Sequence, residues 1–197
     1  MTGKEHISKK EKGINELRNA EEKWILERYL RLKKYQAIFK EEYLPLRSRV
    51  SITFFNEIMY DYVYGAYVSC IVMCHLVCME VLKSPFDSGS ERNIFEYGFS
   101  KLVEENKNRG WIDDELRKDL LKLNRIRNRF EHSKDFKKII KDLDQGDNEL
   151  GKLYDQYSYE YLERKVVFAM KLVHKVILDT RLMFAPPESR DLGKEHL

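Results

Sequence analysis

Apolar residues recur at helical spacing among charged ones along most of the chain, and nothing reads as a convincing sheet. From Ile14 to Tyr43 the positions Leu17, Trp24, Leu26, Leu30, Tyr35, Ile38 and Phe39 are interleaved with charges, and Pro45 ends the pattern. This predicts a first long, solvent-facing helix. A second is expected from Ser51, a suitable N-cap, to Lys83, stopped by Ser84-Pro85 and by Asp87-Ser88-Gly89-Ser90. A third covers about 91–107, with Ile94, Phe95, Phe99, Leu102 and Val103 on one face and Asn108-Arg109-Gly110 as its break. A fourth starts near Asp113, where Asp113, Asp114 and Glu115 suit the positive end of a helix, and runs on through Leu116, Leu120, Leu123 and Ile126. A last helix is expected from about Glu149 to Met183, ended by Ala185-Pro186-Pro187.

Five helices with short links predict an all-α, up-and-down helical bundle. The expected organisation is a polar tail over 1–13, a single helical domain over 14–184 and a polar tail over 185–197. Composition agrees, since 9 Gly and 4 Pro in 197 residues are too few for the turns of a many-stranded sheet or for Gly-rich phosphate loops. The stretch Tyr62 to Met79 lacks Asp, Glu, Lys and Arg and matches a membrane span in length. Against that reading, Tyr62, Tyr64, Gly65, Tyr67, Ser69 and His75 lower its hydropathy, Asp61 and Glu80 close it tightly, and no second such segment exists. It is expected to be the central helix of the bundle, with no membrane partner.

Cys70, Cys74 and Cys78 stand four residues apart and form one stripe of a helix, so they cannot bridge one another. Their odd number, and an N-terminus without an apolar leader, point to a reducing, cytoplasmic setting. His75 beside two of them invites a zinc site. The spacing on one rigid helix does not match a zinc knuckle and no second ligand pair follows, so small core side chains are expected and no metal or cofactor.

The charges, 36 basic against 33 acidic, nearly cancel, which excludes a polycation that coats nucleic acid. The balance conceals one unmixed segment. Between Leu120 and Phe130 lie Lys122, Arg125, Arg127 and Arg129 and no acid, a patch suited to phosphate. It leads into Arg127-Asn128-Arg129-Phe130-Glu131-His132. On an unbroken helix Arg127 and His132 are rotated about 140° apart, so they share a cleft only if the helix ends or distorts near Glu131 to Ser133. Arg127 has a structural alternative in an ion pair with Glu131, and His132 has one as a partner of the helix dipole. Tyr154, Tyr157, Tyr159 and Tyr161 could stack bases, although their spacing puts some of them in the core.

An Arg-polar-x-x-x-His motif late in a helical bundle, after a long apolar helix carrying Glu80 near its end, resembles the HEPN domain. The resemblance spans roughly 51–183. It implies a metal-independent endoribonuclease that works on RNA as a homodimer, with Arg127 and His132 as the catalytic pair and Asn128 and Glu80 as supporting polar residues. It further implies a toxin or phage-defence role, with an antitoxin or nucleotidyltransferase-type partner. The chemistry is consistent with these residue types. An imidazole titrating near 6.5 can take the 2′-hydroxyl proton, a guanidinium can stabilise charge on phosphorane oxygens, and Lys122, Arg125 and Arg129 can hold RNA. Glu80 would pair with Arg127 if buried. The alternative is a HEPN-like module that binds nucleotide, RNA or protein without turnover.

Overall fold

The computed structural model describes residues 3–40, 49–86, 96–131 and 159–179. Within them the chain is an all-α bundle of six helices and no strand: α1 (Gly3–Phe39), α2 (Arg49–Tyr64), α3 (Tyr67–Lys83), α4 (Phe99–Asn108), α5 (Asp114–Glu131) and α6 (Tyr159–Leu178). A 3₁₀ turn, Ser84–Phe86, follows α3.

The apolar run expected as one helix from Ser51 to Lys83 is two, folded back on each other. Gly65 takes φ +80, a left-handed conformation that glycine adopts without a Cβ penalty. Its N–H bonds the carbonyl of Tyr62 at 3.1 Å, and the next N–H, of Ala66, bonds that of Asp61 at 2.7 Å. This pair of bonds satisfies the last carbonyls of α2 and reverses the chain. Across the hairpin Ser69 donates to Asp61 at 2.6 Å, and the rings of Tyr62 and Tyr67 stack. No unbroken charge-free helix therefore runs from Tyr62 to Met79. The remaining segment with span-like composition, Tyr67–Phe86, has mean hydropathy 1.5.

That segment is the hub on which α2, α4, α5 and α6 pack. Cys70, Ile71, Cys74, Val77, Cys78 and Leu82 are wholly buried in it. The three thiols are free, and burial pushes those of Cys74 and Cys78 well above the usual range. No three His, Cys, Asp or Glu side chains among the described residues come together as metal ligands.

The remaining helices are fixed by specific polar ties as well as by apolar contact. Asn106, wholly buried, donates to the carbonyl of Leu82 at 3.1 Å and to that of Leu102 at 2.9 Å, which pins α4 to the end of α3. Gly110, at φ +73, ends the turn after α4, and Asp113 caps α5 by accepting the N–H of Leu116 at 2.8 Å, as the acidic start predicted. Lys175 of α6 reaches Glu115 near the start of α5, while Phe168 lies under Lys122 farther along, so the two helices run antiparallel.

The expected boundaries shift in two places. Helix α1 begins at Gly3 rather than at Ile14, because its first turns, although polar, contain no proline and Gly13 is tolerated within the helix. Helix α4 begins at Phe99, after an extended Gly98. The stretches expected to begin the third and last helices, including Ile94, Phe95, Tyr154 and Tyr157, lie outside the described residues.

The two left-handed glycines provide a stability test. A Cβ on Gly65 would stand 2.8 Å from the Tyr159 hydroxyl and 3.1 Å from Arg31 Nη1, whereas one on Gly110 meets nothing within 4 Å. Gly110→Ala is expected to cost about 1 kcal/mol from backbone strain alone, and Gly65→Ala about 2 kcal/mol or more. Urea unfolding of the two variants should show that order; equal losses would mean that the contacts at Gly65 yield freely.

Candidate functional site

Helix α5 turns its apolar residues Leu116, Leu120, Leu123 and Ile126 into the core and divides its basic residues between two sides. At about 100° per residue, Arg127 lies about 140–160° around the helix from each of Lys122, Arg125 and Arg129. Those three are exposed, whereas Arg127 and Asn128 are half-buried. The segment that reads as one positive patch in the sequence is thus two features, an outward stripe and an inward arginine. The stripe extends one turn back to exposed Lys118. Lys122 lays its ammonium over the Phe168 ring, 4.3 Å from the centroid.

Arg127 donates from Nη1 to the side-chain oxygen of Asn128 at 3.1 Å, so the two adjacent motif residues meet directly. One helical turn earlier, Asn124 donates to Ser100 of α4 at 2.9 Å, and its amide oxygen faces His75 Nε2 of α3 at 3.2 Å. Because the Asn124 amide nitrogen is committed to Ser100, its oxygen is the acceptor, and the histidine proton sits on Nε2. The ring of His75 packs on Phe99 with centroids 4.1 Å apart and is only 4% exposed. Burial, reinforced by the nearby charge of Arg127, lowers its pKa from 6.5 to about 4 although the bond to Asn124 opposes this. His75 is therefore neutral at physiological pH, and its buried Nδ1 meets no hydrogen-bond partner among the described residues.

In the sequence His75 reads as a polar interruption of the apolar run and as a core side chain preferred over a zinc ligand, with no polar partner indicated. The structure makes it the α3 member of a His75–Asn124–Ser100 chain that braces α5 one turn before Arg127. The signal that could have found it is slight: a lone imidazole in the charge-free core helix needs a polar partner, and Asn124 is one of the two uncharged polar residues of the basic segment, with Asn128.

Glu80 does not meet Arg127. Its carboxylate is bonded by Lys83 at 3.0 Å, one turn on along α3, and both side chains keep some exposure, so burial creates no need for a deeper partner. His132 lies just past the last described residue of α5, outside the described residues. The site in view is thus Arg127 and Asn128, backed by His75, Asn124 and Ser100, with the exposed basic stripe on the far side of α5. Compared with protein-family models, with curated proteins and with solved structures, the chain matches none.

Proposed function

We propose that this protein is a metal-independent endoribonuclease of HEPN type, cytoplasmic and homodimeric, with Arg127 and His132 as its catalytic pair. The observation that carries the reading is the Arg127-Asn128 step on an inward-facing turn of α5, packed against the core helix and followed by His132. In the proposed reaction His132 takes the proton of the ribose 2′-hydroxyl, whose oxygen attacks the adjacent phosphorus. The phosphorus–O5′ bond breaks, leaving a 2′,3′-cyclic phosphate, and the departing 5′-oxygen takes a proton from water to become a 5′-hydroxyl, while the proton held by His132 returns to solvent. Arg127 stabilises the charge gathering on the non-bridging oxygens, and Asn128 holds its guanidinium in place. A toxin or defence effector, restrained by a separate antitoxin, is the role that suits such an activity.

The test is incubation of the purified protein with structured and unstructured RNAs in excess EDTA. Cleavage leaving cyclic-phosphate ends is expected, and intact RNA throughout would refute the reading. A second reading, binding without turnover, is favoured by the exposed stripe Lys118, Lys122, Arg125 and Arg129, which faces away from Arg127. Salt-sensitive RNA binding without cleavage would select it.

A further inference from the structure

The inner face of α1 runs on beyond the body that supports it. Between Arg31 and Phe39 this face is part of the core: Arg31, Tyr35 and Phe39 are buried, Phe39 packs on Phe55 of α2 and His174 of α6, and Arg31 donates to the Val63 carbonyl at 3.1 Å. Helix α2 runs antiparallel to α1, so its last turn sets where the support stops. There Trp24 meets Tyr64 edge-on, and the Arg28 guanidinium lies 3.7 Å from both ring centroids. Farther toward the N-terminus, Leu17 and Ile14 stand seven and ten residues before Trp24 on the same side of the helix, yet Leu17 is 73% exposed and Ile14 49%. The pattern of a buried seam thus continues where, among the described residues, nothing covers it.

Six large side chains form this surface: Ile14, Leu17 and Trp24 of α1, Tyr60 and Tyr64 of α2, and Tyr159 of α6, each about half exposed or more. At ordinary side-chain sizes they present about 800 Å² per copy, and two such faces give the roughly 1,600 Å² of a stable protein–protein interface. Trp, Tyr and Arg are also the residues that dominate interface energetics. The charges along the helix choose between occupants. From Ile14 to Leu30 there are four acids, Glu16, Glu21, Glu22 and Glu27, against three bases, Arg18, Lys23 and Arg28. Over this apolar stretch the basic excess that an anionic membrane or a nucleic acid calls for is absent, the surplus of α1 lying in its first turns, Lys4 to Lys12, and at Arg31, Lys33 and Lys34, so the nearly neutral stripe can face a copy of itself without like-charge repulsion.

We propose that α1 is a self-association arm, through which two copies pair their Ile14–Leu17–Trp24 stripes about a two-fold axis, with the Trp24–Arg28–Tyr64 stack at the edge of the contact. The surface is argued without reference to RNA cleavage; because the proposed function includes a homodimer, a monomer would count against both, whereas a dimer indifferent to Leu17→Glu would refute the arm alone.

The test uses the full chain in sedimentation equilibrium and light scattering over a wide concentration range. A mass twice the 23.7 kDa of one chain is expected, with Leu17→Glu raising the dissociation constant at least about 100-fold and Trp24→Ala weakening it as well. Leu17 is so exposed that its exchange should leave the circular dichroism unchanged, which separates lost association from lost fold. Emission of Trp24 should shift to the blue with concentration, while Trp111, only 9% exposed, stays constant. A monomer at every concentration would overturn the proposal. So would a dimer indifferent to both substitutions, association with liposomes alone, or a Trp24 already shielded in the monomer by another part of its own chain.

Discussion

Arg127→Ala is expected to slow RNA cleavage at least about 100-fold, the cost of removing one preorganised donor from a developing oxyanion. Arg127→Lys should recover little of this, because an ammonium retains the charge but not the planar fork that can bond two phosphoryl oxygens at once. The geometry sharpens the expectation. Arg127 is half-buried and its Nη1 is held by Asn128, so the guanidinium is oriented before substrate arrives, and Asn128→Ala should lower the rate by a smaller factor. His132→Ala should match the arginine variant if the two act as one unit. Exchanging the outward residues Lys122, Arg125 or Arg129 should instead weaken RNA binding and flatten its salt dependence, with the maximal rate little changed. The measurement is single-turnover cleavage at saturating protein, with melting temperatures alongside. Equal rates for Arg127→Ala and wild type at equal stability would remove Arg127 from the chemistry.

The second large effect is loss of stability in acid, arising from His75. In the unfolded chain the ring takes a proton near pH 6.5; in the folded protein, enclosed by Phe99 and near Arg127, it resists until about 4. The folded pKa is the lower one, so this contribution is complete above pH 6.5 and is lost as pH falls toward 4. The gap corresponds to about 3 kcal/mol, a large share of the stability of a small domain. Carboxylates titrate over the lower part of this window too, so the informative quantity is the difference from His75→Gln, which can still donate to Asn124 but cannot take a proton. Urea unfolding between pH 7 and 4 should show the wild type losing stability faster than the variant by about that amount. Parallel curves would mean that the ring is solvated in the folded state.

The parts of this fold legible in the sequence are those set by local pattern. The charge-free run around Cys70 to Cys78 identifies the hub, Asp113 to Glu115 identify the start of α5, and Asn108-Arg109-Gly110 its preceding turn. The break at Gly65 is not legible in the sequence, because an apolar run on both sides of the glycine fits one long buried helix as well as a hairpin. What separates the two is the pairing of Ile58 through Tyr62 with Tyr67 through Cys70, which exists only after the chain turns. The site shows the same division. Arg127 and Asn128 stand out by order and chemistry, and the opposed direction of Lys122, Arg125 and Arg129 follows from helix geometry alone. The His75–Asn124–Ser100 chain links three helices, and no spacing along the sequence encodes it. The condition for a Glu80–Arg127 pair, burial of Glu80, is not met: Lys83, three residues away, offers the partly exposed carboxylate a partner that costs far less ordering of the chain.

The three cysteines of α3 make the hub observable in time. A thiol-modifying reagent attacks the thiolate, and neither access nor ionisation is available to Cys74 or Cys78 while α2, α4, α5 and α6 enclose them. Modification must wait for the bundle to part. With reagent in excess, the rate at which these sulfurs disappear is the rate at which the core opens, so the protein carries an internal clock for its own slowest motion, readable without any added label.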